Sequence, residues 1–101
     1  LREINISEEM FIELLNVFVE QTETALKILE KTVTRKNYEE MRKQAHLISG
    51  SAGNLRISGI QKLAKEIEAG AMEKRDIPDI KDHIGTLRTN FEKLKKEVSG
   101  E

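Results

Sequence analysis

The chain contains no cysteine and no tryptophan, one proline, six glycines and only four aromatic residues, Phe11, Phe18, Tyr38 and Phe91. Without cysteine there is no disulfide scaffold, no thiolate metal site and no cysteine nucleophile. So little proline and glycine leaves too few turns for a sandwich of many hairpins. No apolar run approaches the ~20 residues that a membrane-spanning helix needs. Missing too are a G-x-x-x-x-G-K-[ST] phosphate loop and any other glycine-rich nucleotide loop, which argues against an autonomous nucleotide-using enzyme. Gly50-Ser51-Ala52-Gly53 is not the G-x-S-x-G of a hydrolase elbow, and no strand pattern precedes it. Two histidines, His46 and His83, are too few for a metal site, and the paired Glu-x-x-His motifs of a dimetal bundle are missing, so no metal is expected on this chain. A mildly acidic total with few aromatics argues against nucleic acid as a partner.

What the chain has is charge and helical period. Of its 101 residues 38% are hydrophobic and 35% charged, against about 25% charged in an ordinary globular chain. That length has room for one core, so residues 1–101 are read as a single domain, expected to be monomeric. The first residue is Leu1 rather than methionine, and the domain is expected to be part of a larger protein, cytoplasmic in view of its missing cysteines. Asn5-Ile6-Ser7 has the form of a glycosylation sequon and is taken as a chance match. The formal net charge of −1 is unevenly spread: residues 41–65 hold Arg42, Lys43, Arg56, Lys62 and Lys65 and no carboxylate, while both flanks are net acidic. A basic middle suits an anionic ligand or an acidic partner, although charge alone fits a solvated helix face equally well.

Apolar spacing predicts four helices. The first runs from about residue 8 to residue 33, with Phe11, Leu15, Phe18, Thr22, Ala25 and Leu29 inward, Leu14 and Leu26 widening the stripe, and Ser7 as its cap. Asn37 and Glu40 have the spacing of a capping box for the second, in which Tyr38, Met41, Ala45, Ile48 and Ala52 face inward and Gly53-Asn54 supplies the end signal. Ser58 is the expected cap of the third, with Ile60, Leu63, Ala64 and Ile67 buried, Gly70 near its end and Lys74-Arg75 at the negative pole beyond. Asp76-Ile77-Pro78-Asp79 starts the fourth, whose stripe is Ile80, Ile84, Leu87, Phe91, Leu94 and Val98. Four amphipathic helices with short links predict an all-α, antiparallel four-helix bundle.

His46 lies roughly 130° from the centre of its helix's buried stripe at 100° per residue, so it is expected in solvent, with Leu47 exposed beside it. One turn on, Ser49, Gly50 and Gly53 are small, and each glycine in a helix costs about 1 kcal/mol against alanine. A bare patch kept at that cost fits close approach by another body. Arg42 and Lys43, a turn before His46, have no matching acid evident in the sequence and are placed to stabilise an anionic group on the imidazole. By itself an exposed helical histidine is an ordinary surface residue. His83, beside the last stripe, reads as a surface or boundary residue.

The run Ala45-His46-Leu47-Ile48-Ser49-Gly50-Ser51-Ala52-Gly53-Asn54-Leu55 resembles the signature of histidine-containing phosphotransfer (HPt) domains, approximately A-H-x-L-K-G-S-A-G-N-L-G-A. Ile60 to Glu68 is similar to the L-x-x-L-A-x-x-L-E helix that follows it in that family. The resemblance implies that His46 accepts a phosphoryl group from a receiver-domain aspartate in a multistep phosphorelay and passes it to another. Receiver domains, and a sensor histidine kinase, are then the implied partners. Gly50 would leave room for the incoming receiver, which would bring the Mg²⁺; the domain itself would need no cofactor and would be a phosphocarrier rather than an enzyme. Three positions depart from the pattern. Ser49 stands where the family has lysine, and Arg56 and Ile57 replace Gly-Ala. Arg42, Lys43 or Arg56 is expected to supply part of the missing charge. The competing reading is a helical docking module that binds a receiver without transferring phosphate.

Overall fold

Alternating apolar steps of three and four close four helical stripes on one another in a computed structural model that describes residues 6–100. The helices are α1 (Ile6–Thr34), α2 (Tyr38–Asn54), α3 (Ser58–Met72) and α4 (Ile77–Ser99). Each packs against its neighbours in sequence, and α1 also meets α4, while the diagonal pairs α1–α3 and α2–α4 do not approach. This is the expected antiparallel bundle. Its centre is filled by Leu26, Leu29, Met41, Ile48, Ile67, Leu87 and Phe91, all buried, with Ala45, Ala52 and Ala64 letting the backbones come close. Leu63 and Leu94 are half-buried against this core, as is Tyr38, whose hydroxyl donates to the Arg75 carbonyl at 3.4 Å.

Two expected core residues of α1 are outside. Phe11 is 46% exposed and Leu14 51%, together with Met10, Ile12 and Val17. The cause is length: 29 residues of α1 span about 43 Å, whereas the 17 of α2 span about 25 Å. Asn54 at the end of α2 lies beside Phe18, so the turns of α1 before it have the right period but little to pack on. Ser7 falls inside α1 rather than capping it; Asn5 lies outside the described residues.

Helix ends follow one pattern. At each link a basic residue takes the left-handed conformation, Lys36 (φ 56°), Arg56 (φ 58°) and Lys74 (φ 52°). The next residue donates back across the turn, Asn37 N to Thr32 O at 3.0 Å, Ile57 N to Ala52 O at 2.9 Å and Arg75 N to Gly70 O at 2.9 Å. These bonds satisfy carbonyls that a helix end leaves open, and the cations sit at the negative pole of each helix. The second helix does stop at Asn54, as expected, but neither Gly53 nor Asn54 takes the left-handed conformation; Arg56 does. Ser58 is the first residue of α3, not its cap, a place held by Ile57 without a side-chain bond. Asn37 does cap α2, accepting from the Glu40 N–H at 3.2 Å, but the Glu40 carboxylate takes Gln44 instead of closing the box.

Arg56 carries a side chain where glycine is unstrained. Arg56→Gly is expected to raise stability by about 0.5–1 kcal/mol, because relief of the left-handed strain outweighs the added freedom of the unfolded chain. Thermal melts of the two proteins check it, and a lower midpoint for the variant contradicts it.

Candidate functional site

The second and third helices run antiparallel with a register that several contacts define. His46 of α2 meets Glu68 of α3, and a side-chain atom added at Gly53 would lie 2.6 Å from the Gln61 amide nitrogen. Arg42 and Met72 line one hollow at the other end of the seam. Each pair adds to the same total of residue numbers, as an antiparallel pair in fixed register requires.

His46 is held at one nitrogen and open at the other. Its side chain is 71% exposed, and Nδ1 lies 2.9 Å from Glu68 Oε2, whose side chain is only 21% exposed. A carboxylate accepts and does not donate, so Nδ1 carries the hydrogen and, in the neutral ring, Nε2 carries the lone pair. The ring is thereby oriented and its free nucleophilic atom faces solvent. In the sequence Glu68 is only the last residue of the helix motif Ile60 to Glu68, and its acidic character at that point is the one signal of this contact.

Around the ring the patch is as expected in part. Leu47 is 47% exposed, and a Cβ built on exposed Gly50 meets nothing within 4 Å. Gly50 is one turn past His46 on the same face, so it offers bare helix backbone beside the ring. Ser49 is not on that patch. It is 5% exposed, turned into the α2–α3 seam, where a serine hydroxyl has no stem to carry it back to the surface.

The flanking cations separate. Arg42 does have an acid: Nη2 lies 2.8 Å from Glu39 Oε1, one turn earlier on α2. That hydrogen bond holds the Glu39 carboxyl below and the Arg42 guanidinium above their ordinary pKa values. Arg42 is thus already neutralised, which corrects the expectation of an unmatched charge. Lys43 is exposed and makes no ion pair among the described residues. Arg56 is exposed at the α2–α3 turn, more than two helical turns from His46. His83 is the boundary residue expected, with Nδ1 2.9 Å from the Asp79 carbonyl and Nε2 3.3 Å from Glu66 Oε2. No group of three or more histidine or carboxylate side chains among the described residues is placed to hold a metal ion. No described helix is long and apolar enough to cross a membrane.

The site can therefore present one oriented imidazole nitrogen, beside apolar surface and a side-chain-free stretch of helix, to a large partner. The family model described as Hpt domain matches residues 13–97. No curated protein and no solved structure matches the chain.

Proposed function

Because this chain belongs to the Hpt domain family, whose members are phosphocarriers in phosphorelay signalling and interact with receiver domains, we propose that His46 is its phosphoryl carrier. The observation that carries the reading is the Glu68 contact, which leaves Nε2 as the free atom of a 71% exposed imidazole.

Nε2 attacks the phosphorus of a receiver's aspartyl phosphate in line. The N–P bond forms as the P–O bond breaks, and the aspartate leaves as a carboxylate. No proton has to leave Nε2. The ring keeps its Nδ1–H, and the positive charge that N–P bond formation places on it faces the Glu68 carboxylate. The reverse reaction on a second receiver discharges the domain. The receiver supplies Mg²⁺ and the acidic pocket, and the basic stretch of residues 41–65 complements that pocket. Docking uses the outward face of α2 around Leu47 and Gly50 and the adjoining face of α1, where Gln21, Thr24 and Ala25 border a shallow hollow with Gln44, Leu47 and Ser51.

The test is transfer of label from a phosphorylated receiver to this domain and to His46→Gln. Label is expected on the native chain alone, acid-labile and alkali-stable. Binding of receivers without any label on a folded native chain would establish the docking module instead.

A further inference from the structure

A phosphoryl group on Nε2 of His46 brings two negative charges to a face where Arg42 is already paired with Glu39, where Lys43 is the α2 cation one turn before the ring with no ion pair among the described residues, and where Ser49 is buried and uncharged. The register of the α2–α3 seam shows which cation stands across from it. Contacts of His46 with Glu68 and of Gly53 with Gln61 bracket the stretch between them, and they set Lys65 of α3 opposite Ser49. Lys65 lies one turn before Glu68, so the two are neighbours on the same face of α3. It is exposed and has no ion pair among the described residues. Lys65 lines an open groove with Gln61, Lys62, Glu66 and Ala69, and the one carboxylate among them, Glu66, meets His83 of α4 at 3.3 Å, so a flexible four-carbon chain has room to change rotamer.

We propose that Lys65 is the phosphoryl-neutralising cation of this domain, reaching across the α2–α3 seam to take the place of a charge that α2 lacks at Ser49. It makes and breaks no covalent bond. Its ammonium donates to the equatorial oxygens while the N–P bond forms and while the phosphoimidazole waits. Lys62, three residues earlier on α3, belongs to the level of Ala52 and does not share this role. The proposal deepens the phosphocarrier reading and rests on it.

The test loads His46 with phosphoramidate, a small phosphodonor that needs no receiver, and follows the loading rate and the lifetime of the phosphohistidine. Lys65→Ala is expected to slow loading about fivefold and shorten the lifetime, Lys65→Arg to restore both to within about twofold, and Lys62→Ala to change neither. Circular dichroism melts establish that each variant is folded. Unchanged loading in Lys65→Ala, equal losses in Lys62→Ala, or a native chain that does not load overturns the proposal. Loading by phosphoramidate with no transfer from any receiver refutes the relay function while leaving the role of Lys65 decided by the variants.

Discussion

Gly50→Gln should reduce phosphoryl transfer from a receiver by about a hundredfold or more while leaving the bundle as stable as before, or more so. Both halves follow from one geometry. A Cβ at Gly50 meets nothing within 4 Å, so the glutamine side chain has open space in the isolated domain and no neighbour to displace. Replacing a mid-helix glycine also removes about 0.5–1 kcal/mol of backbone penalty, which should show as a slightly higher melting temperature. On the proposed docking, that open space is what a receiver fills to bring its aspartyl phosphate in line with Nε2, one turn away. A side chain there separates the reacting atoms, and a displacement of even 1 Å is costly to a transfer that depends on position. Gly50→Ala is expected to fall between the two proteins. Full transfer by a folded Gly50→Gln protein places the interface elsewhere.

Removing Arg88 should have the opposite signature, large in stability and small in chemistry. Its guanidinium joins α4 to α1: Nε and Nη2 form a fork on Glu30 at 3.0 and 2.7 Å, and Nη1 reaches Glu23 at 2.8 Å and Glu92 at 2.9 Å. Lys95 adds a second cation on Glu23 at 2.9 Å, and the Arg88 plane lies 5.9 Å from the Phe91 ring centre. Arg88→Met leaves three carboxylates facing one another with only Lys95 near. For a cluster only partly screened by solvent we expect a loss of about 2 kcal/mol at pH 7, or roughly 10 °C in melting temperature.

Acid should erase that difference. The bonds from Arg88 and Lys95 hold the Glu23 carboxyl down at about 2 from an ordinary 4.5. A depressed carboxylate pKa stabilises the fold fully above the unfolded value, and the contribution is lost as pH falls from about 4.5 toward 2. Urea melts of the native protein and Arg88→Met should therefore converge across that window. A gap that stays constant down to pH 2 would assign the effect to the arginine stem packing on Phe91 rather than to charge.

These two residues also show what could be read from the sequence. The bundle, the buried stripes of α2, α3 and α4, and the outward position of His46 all depend on local period, which one helix carries by itself. Phe11 and Leu14 have the same period but are exposed, because periodicity does not say where a neighbouring helix ends. Ser49 lies at the border of the α2 stripe, and how closely α3 approaches decides which side it takes. Glu68, Glu23 and Arg88 were illegible for a related reason: their partners come from other helices, and only the register of the packed bundle pairs them. The places of the links are legible, but the residues that turn them are not, because those with positive φ are Lys36, Arg56 and Lys74, none of which advertises that conformation as glycine does.

The role proposed for Glu68 is to fix His46 so that Nε2 carries the phosphoryl group. Nitrogen-15 spectra of the histidine-labelled domain, recorded before and after phosphorylation by a receiver, test it most directly. The expected result is a His46 ring protonated at Nδ1 before transfer and a phosphorus–nitrogen coupling at Nε2 after it. Phosphorus on Nδ1, or on any residue other than His46, would contradict it.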